Sequence, residues 1–163
     1  MWMAAPSAPR LAHDLQQLPK YLYRGPMAAV LSRRFVLLLT TFGRRSGMPH
    51  QTPLTFMPRG ARLVVYAGAR GERADWYRNV LAHPEVRVQL GTHYFRAVAH
   101  AVEQPAARRE LARAFEVHQR RCGPPAPIRW LRRVTGGGDY DAQVAAAFAR
   151  AEEIPFVELE PIR

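Results

Sequence analysis

Between Phe35 and Val102 the chain reverses direction at closely spaced turns, and no other feature limits its fold as strongly. Phe35–Thr41 is apolar and β-rich and ends at Gly43-Arg44-Arg45-Ser46-Gly47. Thr52–Met57 reads as the next strand, and Pro58-Arg59-Gly60 turns it into Arg62–Ala67. Val86–Leu90 alternates apolar with polar, Gly91-Thr92 turns, and Tyr94–Val102 alternates again. Ile154–Leu159 supplies a last strand. Strands joined by such short turns pair antiparallel, because parallel neighbours need a long crossover. The expected class is therefore α+β, a barrel-like antiparallel sheet of about six strands with helical decoration.

Helical periodicity surrounds these strands. Residues 11–33 carry Leu11, Leu15, Leu18 and Leu22 on one stripe, broken at Pro19 and at Gly25-Pro26. Trp76–Ala82 reads as a short helix with Asp75 as its N-cap, stopped by His83-Pro84. Ala106–Arg121 should be helical with Leu111, Phe115 and Val117 inward. Ile128–Val134 and Asp141–Ala151 are further helical stretches, with Gly136-Gly137-Gly138 as a hinge. Residues 1–10 are Ala/Pro-rich and expected to be disordered. No repeat or dividing linker appears, so the 163 residues are expected to form one domain, with 104–150 a helical insertion before the last strand.

Charge narrows the partners. Lys and Arg number 24 against 13 Asp and Glu, a net charge of +11, and Lys20 is the one lysine. Such a surface attracts something anionic: nucleic acid, a lipid headgroup or a phosphorylated cofactor. No helix-turn-helix, RNP or zinc pattern supports nucleic acid. Lys20, Arg24, Arg33 and Arg34, interleaved with Tyr21, Leu22 and Tyr23, suit peripheral contact with an anionic membrane. There is no run of roughly 18–20 apolar residues and no signal-peptide pattern. Cys122 is a lone cysteine. The expected location is cytoplasmic, with membrane association through the N-terminal helix.

Three constellations could carry chemistry. Thr40-Thr41-Phe42-Gly43-Arg44-Arg45-Ser46-Gly47 ends a strand with two arginines and a hydroxyl between glycines, a pattern that suits phosphate but equally a solvated polar turn. Ala67-Gly68-Ala69-Arg70-Gly71-Glu72-Arg73 would let a flat ring lie against backbone, with Arg70 and Arg73 near an anion. On the following helix, Trp76 and Val80 form a core-facing pair, while Asn79 shares that face and needs polar partners. Conventional catalytic sets are missing. His13, His50, His83, His93, His100 and His118 form no metal-binding pair, and Ser32 and Ser46 lack a nucleophile-elbow context. An enzyme of this kind would rely on a bound cofactor.

Taken together, TTFGRRSGMPHQTPL followed by RLVVYAGARGERADWYRNVLAHPEVRVQLG resembles the deazaflavin-dependent nitroreductase family, the coenzyme F420-dependent reductases, over about residues 35–103. Ile154-Pro155-Phe156-Val157 fits its closing strand. The resemblance implies a split β-barrel, often paired as a homodimer. It implies hydride transfer from reduced F420 to a small electron acceptor: a quinone, enone or nitroaromatic. It assigns Arg44, Arg45 and Ser46 to the cofactor's phosphate or acidic tail, Pro53, Leu54 and Thr55 along the ring, and Ala67 and Gly68 opposite it through backbone amides. Arg70, Arg73, Trp76 and Asn79 would close the phosphate end. His50 stands where arginine is common, Thr55 replaces an aromatic, and Gly68 a serine. Tyr66 and Tyr140 are candidate substrate or proton contacts, and no metal is expected. The alternatives are a barrel that binds FMN or FAD, and a non-enzymatic carrier of cofactor or lipid.

Overall fold

A computed structural model describes residues 36–68, 70–122, 126, 130, 133–134 and 140–162. Six strands close a barrel: β1 (Val36–Phe42), β2 (Pro49–Arg59), β3 (Arg62–Tyr66), β4 (Glu85–Leu90), β5 (His93–Val102) and β6 (Phe156–Pro161). Around the barrel the order is β1-β2-β3-β6-β5-β4, every pairing antiparallel. Among the described residues it is accompanied by the helices α1 (Asp75–Ala82), α2 (Pro105–Cys122) and α3 (Tyr140–Phe148). The α+β barrel expected from the turns is the fold observed. The expected N-terminal helix with its basic residues, Lys20 to Arg34, and the Gly136–Gly138 hinge lie outside the described residues.

Strand alternation sorts side chains into two cores. Leu37, Leu39, Phe56, Val65, Val86, Val88, Ala97, Val157 and Leu159 fill the barrel, whose end is plugged by Trp76, Tyr77 and Val80 of α1. The other face of β2, β3 and β6 presents Met57, Val64 and Phe156 to Leu111, Ala112 and Phe115 of α2 and to Val144 and Phe148 of α3. A basic-acidic lattice ties the outside together. Arg59 bonds Glu110 and Glu158, at 2.9 and 3.2 Å, and Arg62 bonds Glu158 and Glu160, at 2.8 and 2.6 Å.

Several local details differ from the sequence reading. β2 begins three residues early, at Pro49, and runs through Arg59, so the reversal is the two-residue turn Gly60-Ala61. Gly60 takes a φ of +60°, which a hairpin turn of this length demands and glycine adopts freely. Val117 faces out and is half exposed, because α2 buries the stripe Leu111, Ala112, Phe115 and Gln119 instead. Ala74, not Asp75, caps α1; Asp75 is the first helical residue and its carboxylate is engaged elsewhere.

Candidate functional site

The end of β1, the loop that follows it, the start of β2 and the first turns of α1 meet at the barrel mouth. Thr41 continues the inward stripe of Leu37 and Leu39 and is fully buried, so its hydroxyl must find a partner within the protein. Asn79, 3% exposed, supplies one: its Nδ2 donates to Thr41 Oγ1 at 3.5 Å. The amide's other end faces the loop, and Asn79 Oδ1 accepts from the Arg44 backbone N–H at 3.1 Å and from Arg44 Nη1 at 3.2 Å. Arg44 Nη1 also donates to Asp75 Oδ1 at 3.2 Å. One buried amide thus fixes both the course of the loop and the direction of its first arginine.

The loop holds its own shape. Gly43 N–H donates to the Met48 carbonyl at 2.8 Å, Gly47 N–H to the Gly43 carbonyl at 2.7 Å, and Met48 N–H to Ser46 Oγ at 3.3 Å. Gly47 has a φ of +66°. Gly43 is buried where a Cβ would come within 2.5 Å of Ser46 Oγ and 3.1 Å of His50 Nε2. The missing side chain is what lets hydroxyl and imidazole close over the backbone.

These pieces line a groove of about 630 Å³ with Gly43, Arg44, Arg45, Ser46, His50, Gln51, Thr52, Asp75, Trp76 and Asn79. Arg45 is exposed there and has no ion pair or side-chain hydrogen bond among the described residues. Elsewhere on the barrel, Arg59, Arg62 and Arg96 are matched by carboxylates. Uncompensated guanidinium, a hydroxyl and an imidazole around a glycine cradle form a donor set that fits a phosphate or carboxylate group.

Of the residues singled out from sequence, the structure brings Arg44, Arg45, Ser46, His50, Trp76 and Asn79 to this one groove. Pro53 and Thr55 lie further along β2, half-buried, while Leu54 between them packs into the barrel core. Ala67 is buried and its N–H donates to the Pro155 carbonyl at 3.0 Å, so that amide is already engaged. Gly68 is exposed, and its carbonyl accepts from Gly71 N–H at 2.8 Å. Arg70 precedes and Arg73 ends the 3-10 turn Gly71–Arg73, both exposed and outside the groove's lining. Tyr66 does not reach the groove. Its ring packs among Phe115, Phe148 and Phe156 beneath the helices, where burial pushes its phenol above the usual tyrosine range and Gln119 hydrogen-bonds it. Tyr140 begins α3, and its side chain lies outside the described residues.

The sequence reading gives no site role to Thr41, Gln51, Thr52 or Asp75. A polar residue in phase with an apolar strand stripe was the available signal for Thr41; the Arg44–Asp75 pair spans 31 residues and left none. It also missed a second groove of about 660 Å³ on the barrel wall, lined by Thr40, Arg87, Tyr94, Phe95 and Arg96 among others, with Gln51 bordering both. Among the described residues no group of three or more His, Cys, Asp or Glu could hold a metal, and no helix is long and apolar enough to cross a membrane.

Comparison with known proteins agrees with the barrel fold. An F420H(2)-dependent quinone reductase of Mycobacterium tuberculosis is 27% identical over 108 residues, covering 60% of this chain and 72% of that protein. The solved structure of an F420-H2 dependent reductase (FDR-A) matches with a TM-score of 0.50 at 24% identity, over 78% of this chain and 95% of its own. Another, described as a domain-swapped dimer, gives 0.52 at 23% identity over 93% and 99%. At those identities the two structures speak for the fold. The family model for F420H(2)-dependent quinone reductase matches residues 20–122, a span that includes the whole groove, and the chain therefore belongs to that family of oxidoreductases, whose cofactor is coenzyme F420.

Proposed function

We propose that this protein reduces a quinone-type acceptor at the expense of F420H(2), and that the Arg44–Arg45–Ser46 groove seats the cofactor's phosphate. The observation that carries the reading is the unmatched Arg45 guanidinium beside an Arg44 held in place by a buried amide. When bound, F420H(2) supplies a hydride. The protein's share is placement. Arg44, Arg45, Ser46 and His50 would grip the anionic part. Pro53 and Thr55 would face the ring from β2, with Gly68 opposite, and Arg70 and Arg73 would add positive potential nearby. Trp76 forms a wall that keeps water from the groove's inner side. With Tyr66 turned under the helices, the proton that completes quinone reduction is assigned to solvent.

Two assembly features go with this reading. The near full-length likeness to a structure described as a domain-swapped dimer supports a homodimer. The basic, aromatic stretch from Lys20 to Arg34 is proposed to rest on an anionic lipid surface, where apolar quinones partition.

A fluorescence-quench titration tests the reading. F420 is added beside FMN and FAD at two salt concentrations, and consumption of F420H(2) is then followed with a soluble naphthoquinone. Micromolar or tighter, salt-sensitive binding of F420 and quinone-dependent oxidation are expected. Preference for FMN, or binding without oxidation by any quinone, would overturn it.

A further inference from the structure

Arg44 is the groove cation that already has an acidic partner, and its two side-chain contacts are unlike. Asn79 is buried, and its Oδ1 takes the Arg44 main-chain N–H as well as Nη1, so water has little access to replace that contact. The Asp75 side chain is 68% exposed and meets the same Nη1 from the groove's rim at 3.2 Å. Nothing else among the described residues holds that carboxylate. Water can replace every bond it makes.

A carboxylate on a guanidinium is what an incoming oxyanion also offers. The groove thus holds an anion of the protein's own chain at the place where a ligand anion would bind. We infer that Asp75 is an internal competitor: it occupies Arg44 in the free protein and sets how tightly the groove holds phosphate. An exposed ion pair of this kind contributes little to stability, so competition is its main energetic consequence. A bound phosphate beside the retained carboxylate is repelled, and one that displaces it must break the Arg44 bond. Either way, removing the charge should tighten phosphate binding roughly threefold to tenfold at low salt, and less as salt screens it. The identity of the natural anion rests on the function proposed above; the competition itself applies to any oxyanion.

Inorganic phosphate is the probe, titrated into the full chain while the backbone amide resonances of Gly43, Ser46 and Gly47 are followed by NMR. Wild type, Asp75→Asn, Arg44→Gln and the double variant are compared, with Asp75→Ser as a second neutral replacement at the helix start. The expected result is tighter phosphate binding in both Asp75 variants, and loss of that gain when Arg44→Gln is present. Unchanged or weaker binding in the Asp75 variants would overturn the inference, as would no phosphate response in any protein. A gain that persists without Arg44 would also overturn it, since the effect would then be a general field. Parallel F420 titrations separate the two readings: a phosphate result as expected with no F420 binding would remove the cofactor reading and leave the competition standing.

Discussion

Gly43 and Arg45 show how differently two neighbouring loop residues serve the groove. Gly43 acts by omission. In Gly43→Ala the new methyl would sit 2.5 Å from Ser46 Oγ and 3.1 Å from His50 Nε2, so the hydroxyl would have to release Met48 N–H and the imidazole to shift. We expect a stability loss of about 1 kcal/mol by thermal melting and a larger proportional loss in F420 affinity. Arg45 acts by charge alone. Arg45→Ala should leave the melting temperature within error while weakening F420 binding about tenfold, an effect that fades at high salt. At this scale the groove was half legible: Arg44, Arg45 and Ser46 announce themselves because they are contiguous and flanked by glycine. Asp75 and Thr41 do not, since each acquires its meaning from a partner more than 30 residues away.

Among the elements, alternation and turns carried more than caps did. The hairpins were readable because strand period and glycine turns agree, as at Gly91, whose φ of +64° only glycine adopts without strain. Helix faces were less so. Val117 reads as inward because it is apolar, yet the buried stripe of α2 includes Gln119, whose partner Tyr66 lies on a distant strand. Tyr66→Phe tests that assignment. It should cost about 1 kcal/mol of stability through the lost hydrogen bond and leave the hydride-transfer rate unchanged. A fall in turnover at saturating substrate would place Tyr66 in the reaction after all.

For the whole molecule, buried titratable groups bound the pH range of stability. Burial lowers His118 below its ordinary 6.5, so the unfolded chain takes up the proton first, and stability falls as pH drops through that value. Burial raises Tyr66 and Tyr77 above their ordinary 10.0. There the unfolded chain loses protons first, so stability is full below about 10 and declines above it. Denaturant melts across pH should show a plateau between these limits, with the alkaline decline reduced in Tyr66→Phe and the acid decline reduced in His118→Gln.

The strand order has a consequence for how such a chain comes into being. β6 lies between β3 and β5, yet 89 residues separate Tyr66 at the end of β3 from Phe156 at the start of β6. During synthesis at roughly 5–20 residues per second, the first five strands emerge seconds before the sixth. Throughout that interval β3 and β5 each present a bare edge able to template a stranger's strand. The helices Pro105–Cys122 and Tyr140–Phe148 emerge in that gap. Their apolar stripes have β2 and β3 to settle on, but Phe156 of the core they share with the sheet comes only with β6. The newborn protein therefore carries two open sheet edges and an unfinished second core until β6 slides home.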